Sequence, residues 1–194
     1  MADPAPARPA PAAPPGARVR LRFPTAADEA ALCALNRASA AHYAPWVSPP
    51  ADPAQYAAFL ERAARPDVAA LLICGAADDA PMGAVVLSQI FYGPLQSAYM
   101  GYYIGAPYAG QGYAAEGVAL ALDYAFGPLA LHRVEANIQP GNTASLALVR
   151  RLGFTREGFS RRYLLIGGAW RDHERFAILA EDWASKRGVA TTGG

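Results

Sequence analysis

The sequence predicts an α+β protein, a mixed and mostly antiparallel sheet with helices on both faces. Three observations predict it. Strand-like and helix-like segments alternate in the order βααβββαβαββ. Several of the strands are joined by short turns, including one over Gly167-Gly168, and such turns make antiparallel neighbours. Finally, the stretch Gly101–Phe126, GYYIGAPYAGQGYAAEGVALALDYAF, reads as a strand feeding a glycine loop that opens a helix.

The elements are justified in order. Residues 1–17 are almost entirely Ala and Pro, with no large side chain to bury and no apolar signal-peptide centre, so they read as a disordered or polyproline-like tail. The folded domain is expected over residues 18–184. Val19, Leu21 and Phe23 alternate with Arg18, Arg20 and Arg22, a half-buried strand with a basic, solvated outer face. Pro24 ends it. Thr25 and Asp28 have capping-box spacing, which starts a helix running to about Ala41. The loop HYAPWVSPP follows, then Asp52-Pro53-x-Gln55 opens a second helix to about Ala64.

Val68–Gly75, Met82–Phe91 and Ala98–Ile104 are apolar strands separated by the turns Ala77–Pro81 and Tyr92–Ser97. In the helix after the glycine loop, Ala115, Val118, Leu122, Ala125 and Phe126 fall on one face. Arg133–Ile138 is the next strand, and a helix from about Ala144 to Leu152 is stopped by Gly153. Thr155–Ile166 and Ala169–Leu179 pair as a hairpin. After Trp183 the chain turns polar and glycine-rich, so residues 185–194 are expected to fray.

Composition bounds the function. A net charge of +1 makes no case for a nucleic-acid partner. No apolar run is long enough to span a membrane, so a cytoplasmic protein, monomer or homodimer, is expected. Cys33 and Cys74 sit in apolar surroundings and read as buried free thiols in a reducing compartment; no metal site is expected.

The glycine loop is where chemistry is expected. The first amides of a helix lack intrahelical partners and carry the positive end of its dipole, and Gly110 and Gly112 let a phosphate approach the backbone. The loop is neither a Walker A loop nor Gly-x-Gly-x-x-Gly. A second strand–turn–helix, LHRVEANIQPGNTASLALVRRLGF over Leu131–Phe154, accompanies it.

Together these two units resemble the core of the GNAT superfamily, N-acetyltransferases that use acetyl-coenzyme A. YLLIGGAWRDH after RLGFTREG, and the early NRASAAHYAPWVSPP, resemble the ribosomal-protein-alanine (Rim-type) branch. The resemblance covers roughly Val19 to Trp183. It implies a GNAT fold in which Ala98–Ile104 and Arg133–Ile138 splay to admit the cofactor. It implies that acetyl-coenzyme A is the cosubstrate and that a primary amine is the acceptor, a protein N-terminal α-amine first. A small-molecule amine (amino acid analogue, polyamine or antibiotic) and a non-catalytic coenzyme A-binding regulator are the alternatives.

The resemblance also assigns roles. The loop Ala109, Gly110, Gln111, Gly112, Tyr113, Ala114 and Ala115 takes the pyrophosphate, although Ala109 stands where Gln or Arg is usual. The backbone of Tyr102, Tyr103 and Ile104 pairs with the pantetheine arm and offers an N–H to the oxyanion. Asn142 contacts the cofactor, a role compatible with capping the helix. The strand glutamate that many relatives use as a base is Tyr99 here, leaving His173 and Asp172 as candidates beside a water relay or an amine that arrives neutral. The tyrosine acid of many relatives is Val149 here. Ser145, one turn earlier, is the candidate donor to the coenzyme sulfur, or else a first-turn serine serving backbone amides. His42, Tyr43 and Trp46, with Tyr163 and Trp170 from the hairpin, are expected to line the acceptor pocket.

Overall fold

The computed structural model describes residues 11–188. The expected tails therefore lie partly outside it, at 1–10 and 189–194. Seven strands form one sheet in the order β1-β2-β3-β4-β5-β7-β6. They are β1 (Val19–Arg22), β2 (Val68–Gly75), β3 (Pro81–Phe91), β4 (Ser97–Ile104), β5 (Arg133–Ile138), β6 (Thr155–Ile166) and β7 (Ala169–Leu179). Every neighbouring pair is antiparallel except β4 and β5, which are parallel.

The apolar run of β2 is buried on both faces, as a central strand requires. One core lies between the sheet and α4 (Tyr113–Phe126), α5 (Thr143–Leu152) and α6 (Ala180–Arg187). A second lies under α1 (Glu29–Ala38) and α3 (Pro53–Ala63). The helices thus cover both faces, and Cys33 and Cys74 are buried free thiols. Burial pushes the Cys74 thiol up to about 12, which leaves it unreactive.

Three expectations are corrected and one is extended. The first helix is not continuous to Ala41. It ends at Ala38, and a short α2 (Ala40–Tyr43) follows. The break falls at Ser39, which is buried and whose Oγ accepts the Ala106 N–H at 3.0 Å. The break therefore ties the helical corner to the end of β4.

The basic face at the start of the chain is exposed at Arg18 and Arg20, as expected, and is also ion-paired. Arg22 grips Asp28 at 2.6 Å and Asp79 at 2.9 Å, Arg20 reaches Asp79 at 2.8 Å, and Arg18 reaches Glu116 at 3.0 Å. Asp28 also accepts the Thr25 N–H at 2.8 Å, so the predicted capping contact and the Arg22 pair meet on one carboxylate. Its hydrogen bonds from Arg22 hold that carboxyl below the usual range.

Helix α4 is buried nearly all round, with Leu120, Ala121 and Tyr124 inside as well as the expected stripe, while Phe126 is only half-buried. Finally, residue 184 is not the end of order. Helix α6 runs to Arg187, held where Asp123 accepts the Trp183 Nε1–H at 2.8 Å and an Arg187 N–H at 2.7 Å.

The β6–β7 hairpin closes over Gly167 and Gly168 with φ of +58° and +75°, the left-handed pair that a two-residue turn of this type needs. Its register slips between Ser160 and Leu164. There Arg162 has φ +47° and donates its N–H to Asp172 Oδ1 at 2.7 Å.

Candidate active site

Strands β4 and β5 pair only through Ser97, Ala98 and Tyr99 against Arg133, Val134 and Glu135. Beyond Tyr99 the two strands part, while β4 stays bonded to β3 as far as Ile104. The gap opens into a cavity of 710 Å³ that passes through the sheet from one helical layer to the other.

On the α4–α5 side the cavity is lined by Tyr102, Ile104, Ala109, Gly110, Gly112, Ala114 and Ala115. Gly110 and Gly112 have φ of +72° and +87°, and Gly112 is the N-cap of α4. No atom stands within 4 Å of where a Cβ on Gly110 would project. The loop is therefore an open cradle under a helix N-terminus, and it fits a diphosphate.

Gln111 and Tyr113, expected at the cofactor, do not line the cavity and instead brace the loop. Gln111 Nε2 donates to the Pro107 carbonyl at 2.8 Å, and the Gln111 carbonyl accepts from Arg18 at 3.2 Å. Tyr113 packs edge-on against Tyr108 and beneath the Arg18 guanidinium, 4.6 Å from the ring centre.

Helix α5 forms the facing wall through Ala144, Ser145, Leu148 and Arg151. Asn142 caps it, with Oδ1 accepting the Ser145 N–H at 3.1 Å, and also lines the cavity. The cap bond uses the Ser145 backbone, and the Tyr102 hydroxyl donates to the Ser145 carbonyl at 3.3 Å. Burial pushes the Tyr102 phenol up to about 12. Val149 is fully buried in the core.

On the α1–α2 side the wall is largely aromatic, with His42, Tyr43, Trp46, Tyr103 and His173 beside Asn137. Tyr43 donates its hydroxyl to Asn36 Oδ1 at 3.0 Å. His173 is 2% exposed, and its Nδ1 lies 3.0 Å from the Arg171 carbonyl. The ring therefore donates from Nδ1 and keeps a lone pair on Nε2, while burial lowers its pKa and favours that neutral form.

Asp172 does not join His173 in the cavity; its carboxylate is engaged at the β6 bulge. Tyr163 and Trp170 do not line it either. Tyr163 packs on His173 with ring centres 5.9 Å apart, and Trp170 is 61% exposed. Leu164 and Ile166 come from the hairpin instead. The bulge changes which side chains of β6 face the gap, and nothing in the sequence marks a bulge. Asn137 and Arg151 were also missed. The alternation Arg133, Glu135, Asn137 on β5 was the available signal, since a polar face in mid-sheet must meet something other than core.

Among the described residues, Arg151 is the only Lys or Arg that lines the cavity, and no Asp or Glu does. Among the described residues no cluster of three or more His, Cys, Asp or Glu is placed to hold a metal, and no helix is long and apolar enough to cross a membrane.

The cavity thus lies where the sheet splits, with a glycine-rich helix N-terminus on one side and a largely aromatic wall on the other. The chain belongs to the GNAT acetyltransferase family: the model of the acetyltransferase (GNAT) domain matches residues 18–155. It is 43% identical over 107 residues to the probable N-acetyltransferase YjcK of Bacillus subtilis (strain 168), covering 55% of this chain and 59% of that one. It is 38% identical over 106 residues to the [ribosomal protein uS5]-alanine N-acetyltransferase of Escherichia coli (strain K12), covering 55% of each. The matches thus span a little over half the length of these relatives. Among solved structures it resembles Mycobacterium smegmatis RimJ in complex with CoA-disulfide, with a TM-score of 0.77, 30% identity, and 88% and 89% of the two chains covered. These likenesses place it among the Rim-like members of the family.

Proposed function

We propose that this protein transfers an acetyl group from acetyl-coenzyme A to the α-amine of a protein N-terminus. One observation carries the choice of acceptor: among the described residues, no Asp or Glu side chain lines the cavity. A polyamine would bring several ammonium charges into a partly desolvated site with nothing to pair them. An α-amine has a pKa near 8, so about a tenth is already neutral at pH 7, and it needs no acidic channel. The similarity to a uS5-alanine acetyltransferase points the same way.

The residues fit the roles. Gly110, Gly112 and the first amides of α4 would hold the diphosphate. The free edge of β4 at Tyr102–Ile104 matches the spacing of the pantetheine amides, and an N–H there suits an oxyanion. Bound acetyl-coenzyme A would supply the thioester that the amine attacks. Ser145 would hydrogen-bond the departing thiolate through its hydroxyl, His173 Nε2 would accept the proton the amine gives up, and solvent would protonate the released thiolate. Trp46 and Tyr43 would wall the entry, with Leu164 and Ile166 opposite.

The test is acetylation of peptides beginning with alanine by the full chain, read by mass spectrometry with the modified nitrogen located. The α-amine should gain one acetyl group. Unmodified peptides beside an acetylated polyamine would overturn the acceptor class. Coenzyme A binding with no amine acetylated would replace the enzyme reading by that of a regulator.

A further inference from the structure

Two buried polar atoms beside the gap make no hydrogen bond with the protein: Tyr103 Oη on β4 and Asn137 Oδ1 on β5. Both residues line the cavity. Buried side-chain polar atoms are nearly always paired, because an orphan costs stability that nothing repays. Two orphans on the two parted strands, facing one cavity, mark a place where a ligand completes the bonding.

Their surroundings are polar but leave both atoms unpaired. Asn36 lies within reach of the Tyr103 hydroxyl, but the two do not meet in hydrogen-bond geometry. Asn36 is already engaged, with Oδ1 accepting from Tyr43 at 3.0 Å and Nδ2 donating to the Pro50 carbonyl at 2.8 Å. Burial raises the Tyr103 pKa, so the group stays a protonated donor. On β5, Val134, Ala136 and Ile138 point into the α4–α5 core, which turns Asn137 toward the opposite, acceptor side. Its neighbour on that face, Glu135, is held by Arg133 at 2.9 Å.

We propose that Asn137 and Tyr103 seat the amino terminus of the acceptor, Asn137 Oδ1 accepting an N–H of the incoming amine and the Tyr103 hydroxyl donating to the first peptide carbonyl. The inference rests on the reading of the site as an N-terminal acetyltransferase and assigns the residues that select its acceptor. An amide is better suited here than an acid. A carboxylate would stabilise the ammonium form and keep the nucleophile protonated, whereas an amide oxygen orients the neutral amine and leaves its lone pair free.

The test compares full-chain Tyr103→Phe and Asn137→Leu with wild type in thermal melts and in steady-state kinetics with acetyl-coenzyme A and an alanine-initiated peptide. Neither change removes a bond the unliganded protein makes, so both variants should melt at or above the wild-type temperature. KM for the peptide should rise about tenfold in each, with KM for acetyl-coenzyme A unchanged. Asn137→Asp should restore peptide binding but move the kcat profile to higher pH, because it raises the pKa of the bound amine. Peptide KM within twofold of wild type in both variants would overturn the proposal. So would a parallel rise in KM for acetyl-coenzyme A, which would assign the two groups to the pantetheine arm. If wild type acetylates no peptide at all, the acetyltransferase reading falls first; acetylation with unmoved KM values removes only the seat.

Discussion

Gly110 offers the sharpest test of the phosphate cradle. Its φ of +72° is left-handed, and a Cβ there would project into open space rather than into protein. Gly110→Ala therefore has two separable effects. Holding alanine in that conformation costs about 1–2 kcal/mol, which for a domain of this size lowers Tm by roughly 2–8 °C. The methyl also stands where a phosphate must approach the amides. Losing one charge-assisted bond of about 1.5–3 kcal/mol weakens coenzyme A binding roughly ten- to a hundredfold.

Gly167→Ala is the control. Gly167 has φ +58° and no atom within 4 Å of its Cβ position, but it lies at the hairpin turn outside the cavity. It should show a similar loss of Tm with unchanged affinity. Gly112 is less clean, because its Cβ would also meet Arg18 at 3.2 Å. Calorimetric titration of coenzyme A into the three proteins, with a melt of each, reads both effects. If Gly110→Ala binds within threefold of wild type, the cradle is misassigned.

Three further outcomes are expected. Ser145→Ala should lower the single-turnover rate about ten- to a hundredfold with little change in KM for acetyl-coenzyme A. Its denaturation midpoint should stay in place, because the Asn142 cap bonds the backbone of residue 145; a rate within threefold of wild type removes Ser145 from the mechanism. The depressed pKa of His173 means that the unfolded chain binds this proton more readily than the folded one. Its contribution to stability should be intact above about pH 6.5 and lost as pH falls through the lower folded value. His173→Gln should therefore flatten the decline of Tm with acid, and identical slopes would contradict it. A chain beginning at Ala17 should keep both Tm and activity, since the strand contacts start at Arg18; a large loss of either would show that the preceding segment docks.

How far the sequence could be read depended on whether the deciding contact was local. The buried run of β2, the Gly167-Gly168 turn and the glycine loop announce themselves through period and φ preference, so the strands and the cradle were legible. The parting of β4 from β5 was not; it entered only through resemblance, because nothing in YYIG records where pairing stops. Ser39 looks like one more polar residue on a helix until Ala106, far along the chain, supplies its N–H. Arg22 meets Asp79 only after β2 has turned back. The hairpin misled in the same way. Tyr163 and Trp170 have the right chemistry for a pocket, but the slip at Arg162 presents Leu164 and Ile166 in their place.

The two departures from the family pattern, Tyr99 and Val149, become intelligible together. Val149 is fully buried, so the position where many relatives carry a tyrosine acid is filled here by core packing. Tyr99 is held up to about 12, first by its interaction with Tyr163, and a phenol so stabilised in its protonated form is a poor base at neutral pH. On the proposed function, proton handling would then fall to groups that line the gap. Ser145 sits on the α5 wall, and His173 lies across the sheet with Nε2 free to accept. Acetyl transfer to an amine needs this division, because the proton leaves nitrogen on the acceptor side and is required at sulfur on the donor side. With no acid lining the cavity, the amine can meet the thioester uncharged. A neutral histidine then needs only to take the proton as the new bond forms, a role that the burial which lowers its pKa supports.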